Sequence, residues 1–347
     1  MKIRFNVVIL ILIAVAAILV SPLIIAFLPK SISEYAYRDL TYLHLSNRLI
    51  SNDLSEQERA EVLFKYVAAN IYAHEGFQAV DCNPFNDLIR GIGWCDQQAL
   101  LLNTLLNKQN IKSRLRDVQH HTCGEALIGD KWVLLDPYAG SIYYNKGTRV
   151  MASIDEIVQG EQLLYSPLKF EIPDMQKLYV PDEGRYSKGI SPEYIDYVNK
   201  SVLKKAIEMD IRLGYILYGK KYAFWYQDKY LESIKELSDP GEKWIIGYKS
   251  IYKPSNEAYL EYYKGRNYYV YGRYNEALKT YCKITDIYHD TYWADESAWQ
   301  KGMVYFFGGK DENALSIFSD PQISEDPLFK HRSKYMLNLV KGYSVEN

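Results

Sequence analysis

The sequence lacks a strong excess of charge of either sign. It carries 41 Lys and Arg residues against 43 Asp and Glu residues, so the formal net charge is −2 over 347 residues. Nucleic-acid-binding proteins usually carry a basic patch that pairs with the phosphates. The charge balance predicts no such patch, and we expect no nucleic acid among the partners. The length is sufficient for two domains.

Cysteine is also scarce, with four residues in the whole chain. Cys82, Cys95, Cys123 and Cys282 have neither the pattern of a disulfide framework nor the paired spacing of a zinc finger. The sequence therefore predicts no structural metal, and it predicts no cofactor. If the chain lies outside the cytoplasm, Cys82 and Cys123 are the most plausible disulfide pair. The alternative is that both are free, partly buried thiols.

The longest uncharged apolar run covers residues 7–28. About 20 such residues cross a bilayer as a helix, and Lys2 and Arg4 place the amino terminus in the cytoplasm by the positive-inside rule. A cleaved signal peptide is the alternative, but it normally has a shorter apolar region and a small-x-small site. Bulky residues follow Ala26. We expect residues 1–30 to be an uncleaved transmembrane signal anchor, with the remaining chain extracytoplasmic.

Cys95 precedes a segment whose apolar residues recur with helical spacing. This position places the cysteine in the first turn of a helix, where unpaired N–H groups and the helix dipole favour a negative charge. The thiolate is the nucleophilic form of cysteine. Gly93 allows a sharp turn and a close approach to a substrate. Cys95 is therefore a candidate nucleophile. The apolar residues of the helix are Ala99, Leu100, Leu101, Leu102, Leu105 and Leu106.

A β-hairpin is predicted after that helix. Residues 120–128 and 131–135 have strand-like composition, and Gly129-Asp130 between them suits a two-residue turn with glycine first. His121 lies on the first strand and Asp136 follows the second, so a tight hairpin can bring the carboxylate to the imidazole ring. A single Cys or His is usually structural. A nucleophile, a base and an orienting carboxylate in one compact region instead predict a catalytic triad.

This region resembles the transglutaminase-like superfamily of papain-type thiol enzymes. The resemblance covers roughly residues 55–140, and it implies Cys95 as nucleophile, His121 as base and Asp136 as the residue that orients the histidine. It also implies a papain/transglutaminase-like α+β core over residues 31–165, with the cysteine helix packed on an antiparallel sheet. The matching motifs are Gly93-x-Cys95-x-x-x-Ala99, Asn110-Ile111-Lys112-Ser113-Arg114, His121-x-x-x-Glu125 and Trp132-x-x-Leu135-Asp136-Pro137.

The chain departs from the family pattern at two positions. Cys123 stands where the family often has an aromatic residue, and Asn110 stands where the family has glycine. Neither departure removes a member of the triad, but Cys123 places a second thiol near the site. No motif identifies the oxyanion donor. The backbone N–H of Cys95 is one candidate, and the side chain of Gln78 is a weaker one.

The remaining chain divides into a linker and a helical region. Residues 166–191 contain the prolines and glycines of a connection. Residues 192–347 are predicted to be α-helical, and they contain a repeat with an offset of 37 residues. The repeat resembles tetratricopeptide repeats, whose unit is two antiparallel helices and whose period is about 34 residues. The first copy is Gly265-x-x-Tyr268, Gly272-x-Tyr274-x-x-Ala277 and Tyr281, and the second is Gly302-x-x-Tyr305, Gly309-x-Asp311-x-x-Ala314 and Phe318.

These patterns predict a membrane-anchored cysteine enzyme. Attack of Cys95 on a carboxamide or peptide carbonyl forms a thioacyl intermediate, which water or an amine resolves. The outcome is hydrolysis, deamidation or acyl transfer on a protein or peptide substrate, and the helical repeats bind that substrate or a partner protein. The alternative is a catalytically inactive transglutaminase-like scaffold whose repeats bind partner proteins.

Overall fold

The computed structural model describes residues 2–72, 84–119, 121–159, 163–165, 169, 178–180, 202–235, 237 and 252–342. These residues are mostly helical, with one small antiparallel sheet and one apolar helix at the amino terminus. This composition is compatible with the α+β class that the sequence predicts. Most of the predicted linker, residues 166–191, lies outside the described residues.

The helices are numbered here in chain order over the described residues. They are α1 (Lys2–Ile24), α2 (Lys30–Leu49), α3 (Glu56–Asn70), α4 (Pro84–Arg90), α5 (Cys95–Lys108), α6 (Ile154–Val158), α7 (Val202–Tyr218), α8 (Lys220–Ser233), α9 (Asn256–Val270), α10 (Tyr274–Ile287), α11 (Tyr292–Phe307), α12 (Asp311–Phe318), α13 (Pro321–Ser324) and α14 (Lys330–Val340).

The chain forms two compact units, and neither is continuous in sequence. One unit contains Met1–Leu45 and Asp196–Lys235, and the other contains Ser46–Ile195 and Glu236–Asn347. The predicted domain boundaries do not coincide with these units. Part of the predicted repeat domain belongs with the predicted anchor, and the rest belongs with most of the predicted catalytic domain. This grouping is set by contacts between residues that are far apart in sequence, and such contacts cannot be read from local sequence patterns.

Helix α1 of the first unit carries the apolar run. Val7–Phe27 is long and apolar enough to cross a membrane, with a mean hydropathy of 3.2. Pro22 has no N–H to donate to the carbonyl of Ile18, and the hydroxyl of Ser21 donates to that carbonyl instead, at 3.1 Å. The helix can therefore continue through the proline. A signal sequence has the same length and apolar character, so the uncleaved anchor and its orientation stay predictions.

The end of α1 is tied to α7 and α8. The Ser21 hydroxyl donates to Asp210 at 3.2 Å, and the Tyr222 hydroxyl donates to the carbonyl of Pro22 at 2.9 Å. A Cβ atom at Gly214 would lie 2.6 Å from the Tyr222 ring and 2.9 Å from Pro22. Only glycine at this position allows the three helices to approach so closely.

The sheet of the second unit is an antiparallel meander. Ile128 pairs with Lys131, so Gly129-Asp130 is a two-residue turn, and Gly129 has a φ of +59°. The predicted hairpin is confirmed. The strands are β1 (Ser113–Val118), β2 (His121–Ile128), β3 (Lys131–Asp136) and β4 (Ser141–Asn145), with a short β5 (Leu163–Tyr165) paired to β4.

Helix α5 begins at Cys95 and packs against the sheet, as its apolar spacing predicts. Its leucines at positions 101, 102, 105 and 106 are fully buried. Gly124 of β2 allows the close approach, because a Cβ atom there would lie 3.1 Å from Oδ1 of Asn103. Burial of several leucine side chains contributes about 1.5–3 kcal/mol each. The start of α5 is thereby fixed relative to the strands.

Two helical hairpins in the second unit, α9 with α10 and α11 with α12, repeat one contact. A Cβ atom at Gly265 would lie 2.6 Å from the Tyr281 ring, and one at Gly302 would lie 2.6 Å from the Phe318 ring. The 37-residue sequence repeat therefore corresponds to a glycine that receives an aromatic ring from the next helix. The resemblance to tetratricopeptide repeats stays a prediction.

We expect Gly265→Ala to destabilise the second unit by about 1–3 kcal/mol, because the Tyr281 ring must move to admit the methyl group. Urea unfolding of the full chain in detergent micelles measures the change. Gly147→Ala is the control, since a Cβ atom there would lie 3.5 Å from its nearest neighbour, the Asn145 side chain. Equal unfolding midpoints for the two variants would contradict the tight contact.

Candidate active site

Cys95 is the first residue of α5 and is half-buried. The preceding residue, Trp94, is extended, and its N–H donates to Oε1 of Gln97 at 2.8 Å. The first-turn N–H groups of a helix have no partner within the helix. Cys95 thus lies in the first turn of α5, next to these N–H groups.

His121 and Asp136 occupy the ends of neighbouring strands. His121 is the first residue of β2 and Asp136 is the last residue of β3. Nε2 of His121 lies 2.8 Å from Oδ2 of Asp136. The histidine side chain is 11% exposed and the aspartate side chain is fully buried. The hairpin register therefore places a buried carboxylate on the imidazole ring, as the sequence predicts.

Two further donors hold the Asp136 carboxylate. The N–H of Ala139 donates to Oδ1 at 3.1 Å, and the hydroxyl of Tyr179 donates to Oδ2 at 2.8 Å. Burial favours the neutral acid, but the charge and hydrogen bond of His121 and these two donors outweigh it, and the pKa of Asp136 is lowered. The carboxylate is therefore ionised and oriented at neutral pH.

The charge state of His121 follows from its neighbours. Burial favours the neutral ring, but the charge of Asp136, its hydrogen bond, and a hydrogen bond with Cys95 outweigh burial and raise the pKa of His121 to about 10. Asp136 uses Nε2, so Nδ1 is the ring nitrogen left for the Cys95 sulfur. The three predicted residues are thus brought together in the order cysteine, histidine, aspartate.

Cys123 is not a second reactive thiol. It is fully buried, and its Sγ donates to the carbonyl of Arg116 at 3.5 Å. Burial, with the charges of Asp136 and Glu125, raises the pKa of the Cys123 thiol well above its ordinary value. The two other residues that the sequence analysis associated with the site, Gln78 and Cys82, lie outside the described residues.

Three of the family-like motif residues form a stack across the sheet. Arg114 on β1 pairs with Glu125 on β2, and its Nε donates to the carboxylate at 2.5 Å. The same guanidinium lies 4.0 Å from the ring centroid of Trp132 on β3. Such ion-pair and cation–π contacts join three adjacent strands. These residues therefore have a structural role beside the triad.

Sequence reasoning missed a buried lysine next to the site. Nζ of Lys169 donates to the carbonyl of Ile71 at 2.6 Å and to Oε1 of Gln98 at 3.0 Å, and its backbone N–H donates to Ala139. Gln98, three residues after Cys95, in turn donates to the carbonyl of Gly93 at 2.8 Å. Burial lowers the pKa of Lys169 well below its ordinary value. Lys169 belongs to the predicted linker, residues 166–191, whose prolines and glycines form no helical or strand-like pattern. No sequence signal therefore indicates that this lysine is buried.

The chain was compared with known proteins. No family model, no curated protein and no solved structure matches it. Within the described ranges, no three His, Cys, Asp or Glu side chains are grouped so as to hold a metal ion. The conclusions about the site therefore rest on its own geometry.

We expect the His121 ring to titrate near pH 10 instead of near the ordinary value of 6.5. A raised pKa means that the stability the charged ring contributes is fully present below about pH 6.5. It is lost as the pH rises through about 10. Histidine-selective NMR of the full chain in micelles measures the titration, with His121→Gln for assignment.

Two aspartate variants test the cause of that raised pKa. Asp136→Asn should lower it, because the ring loses its charged partner. Asp117→Asn is the matched control, since Asp117 is also buried in the sheet but accepts from Thr122 at 2.9 Å. A His121 ring that is neutral at pH 7.5 in the unmodified protein would contradict the ion pair.

We expect Lys169→Met to destabilise the protein by about 1–3 kcal/mol, because two buried acceptors lose their donor. The difference from the unmodified protein should grow with pH. Because its pKa is lowered, the folded state binds fewer protons than the unfolded chain, in which a lysine titrates near pH 10.4. The unmodified protein therefore gains stability as the pH rises towards that value, and the variant does not.

Urea unfolding between pH 7 and pH 10 measures this difference. Lys229→Met is the control, because Lys229 is exposed and its pairing with Glu232 at 2.9 Å is a surface salt bridge. Such bridges contribute roughly 0–1 kcal/mol. A pH-independent difference for Lys169→Met would show that the buried amine keeps its proton.

Proposed function

We propose that the chain is a membrane-anchored, transglutaminase-like cysteine enzyme that acts on amide or peptide carbonyls. The observation that carries this proposal is the contact between Cys95 at a helix start and His121, whose Nε2 lies 2.8 Å from the buried Asp136 carboxylate. A half-buried cysteine beside a charged imidazole is the arrangement that generates a thiolate.

The reaction follows from these positions. Because His121 already carries its proton at neutral pH, loss of the Cys95 thiol proton to water gives a thiolate–imidazolium pair. The sulfur attacks the carbonyl carbon, and first-turn N–H groups of α5, including that of Cys95, donate to the developing oxyanion. His121 then gives its proton to the leaving amine or ammonia, and a thioacyl enzyme remains.

The thioacyl intermediate is resolved by water or by a second amine. His121 accepts a proton from this nucleophile, the carbon–sulfur bond breaks, and Cys95 leaves as a thiolate, which restores the thiolate–imidazolium pair. Water gives hydrolysis or deamidation, and an amine gives acyl transfer. Asp136 keeps its negative charge throughout and holds the ring so that Nδ1 faces the sulfur.

The papain/transglutaminase-like fold is part of the proposal. It is supported by α5, which starts at the cysteine and packs on an antiparallel sheet. It is also supported by three residues at motif positions, because Arg114 contacts both Glu125 and Trp132. The substrate is proposed to be a protein or peptide, because Cys95 is only half-buried and lies at the start of a helix.

The proposed location follows from the amino terminus. Val7–Phe27 anchors the chain in a membrane, with Lys2 and Arg4 on the cytoplasmic side and the following residues on the other side. In this arrangement the enzyme acts on extracytoplasmic proteins or peptides.

A scaffold without catalytic activity is the second candidate. The regular helical hairpins α9–α12 favour it, because such hairpins can present a surface to a partner protein or to the substrate. The side of α9 that carries Arg266 is already packed against α4. A partner would therefore bind another surface of the hairpins.

The rate of iodoacetamide labelling at Cys95, followed by mass spectrometry of its peptide, separates the two candidates. An ordinary thiol titrates near pH 8.5. For an enzyme we expect fast labelling below pH 7, because the thiolate is already formed, and a large loss of that reactivity in His121→Ala. His331→Ala, which removes an exposed histidine, should leave the rate unchanged.

Turnover completes the test. With a glutamine-containing peptide as substrate, Asp136→Asn should leave the fold intact and slow product formation by roughly 10²–10⁴-fold, since the ring loses its orientation. If Cys95 of the unmodified protein is labelled with the pH dependence of an ordinary thiol, the enzyme proposal is wrong and the scaffold without catalytic activity is the remaining candidate.

A further inference from the structure

Arg266 of helix α9 caps the carboxyl end of helix α4. Its Nη2 donates to the carbonyl of Leu88 at 2.7 Å, and its Nε donates to the carbonyl of Ile89 at 3.0 Å. The hydroxyl of Tyr262 reaches the next carbonyl, that of Arg90, at 3.4 Å. The last carbonyls of a helix have no partner within it, and a cation there also complements the helix dipole. One side chain thus satisfies two of these groups.

The segment that Arg266 holds leads directly to Cys95. After α4 the chain passes through Gly91, whose φ is +76°, and a Cβ atom there would lie 3.4 Å from Nη2 of Arg266. The N–H of Tyr72 donates to the carbonyl of Gly91 at 2.9 Å, and the N–H of Gly93 donates to the carbonyl of Tyr72 at 3.1 Å. Two residues later α5 begins. Hydrogen bonds at Ile89, Gly91 and Gly93 therefore connect the guanidinium with the residues just before Cys95.

The guanidinium is itself fixed by the next helical hairpin. Nη1 of Arg266 donates to Oε1 of Gln300 at 2.8 Å, and Nε2 of Gln300 donates to Glu296 at 3.1 Å. Glu296 accepts from both terminal nitrogens of Arg332, at 2.9 and 2.8 Å. All four side chains are at most 2% exposed. The planar guanidinium of Arg266 donates to three acceptors at fixed angles. A lysine ammonium on its flexible side chain does not reproduce this geometry.

We infer that Arg266 is a positioning residue for Cys95. It fixes the end of α4 and the Gly91–Trp94 segment, so that the sulfur at the start of α5 meets His121. Helices α9 and α11 then form part of the support of the active site. This inference rests on the proposed function, because it assigns the support of the same thiolate.

The test compares three variants of the full chain in micelles. Arg266→Lys keeps the charge and loses the fork, and Gln300→Met keeps Arg266 but removes one of its acceptors. Phe318→Leu is the control, because it disturbs the repeated glycine–aromatic contact of the second hairpin, at Gly302. For each protein the labelling rate of the Cys95 peptide is measured between pH 5 and 9, together with the thermal unfolding midpoint.

We expect Arg266→Lys to lower the labelling rate below pH 7 by at least about tenfold, and Gln300→Met to lower it less. Phe318→Leu should reduce the midpoint but keep the pH profile. If Arg266→Lys does not fold, the inference is judged on Gln300→Met alone, whose labelling rate below pH 7 should be lower than that of the unmodified protein. Profiles that match the unmodified protein, with only the midpoints reduced, would overturn the inference. An ordinary-thiol profile in the unmodified protein would instead overturn the proposed function, and this inference with it.

Discussion

The buried carboxylate of Asp136 is the group on which the arrangement of the site depends. A carboxylate without exposure to water is stable only when donors surround it. Here the donors come from three parts of the chain: the strand that starts at His121, the turn at Ala139, and Tyr179. The negative charge of Asp136 therefore holds the end of the hairpin and Tyr179, which lies 43 residues further along the chain. The orientation of the imidazole ring is a consequence of that fixation.

The cysteine is held by a different kind of constraint. Its position comes from the backbone of Gly91–Trp94 and from the packing of α5 on the sheet. Buried side chains support that segment from two directions: Lys169 through Gln98, and Arg266 through the end of α4. Both involve polar groups away from water, where an unpaired donor or acceptor costs about 1–3 kcal/mol. The nucleophile is thus placed by hydrogen-bonded backbone, and the base is placed by an ion pair.

The sequence was sufficient for the local part of this arrangement. The leucine spacing predicted α5, and Gly129-Asp130 predicted the hairpin turn, because both are patterns of neighbouring residues. The grouping of Cys95, His121 and Asp136 followed from those two elements. Tyr179 and Arg266 were not predictable in this way, since they act on groups 43 and 177 residues away. The same limitation applies to the grouping of residues 196–235 with the amino-terminal residues, because this grouping depends on long-range contacts such as those of Ser21 with Asp210 and of Pro22 with Tyr222.

The interleaving of the two units also affects how the protein is made. Ser21 and Asp210 are 189 residues apart, and translation proceeds at about 5–20 residues per second. The apolar helix therefore leaves the ribosome roughly 10–40 seconds before the helices that cover its end exist. During this interval Ser21 and Pro22 lack the contacts that Asp210 and Tyr222 later make with them. The late arrival of α7 and α8 then closes the first unit, after the strands of the second unit have already been synthesised.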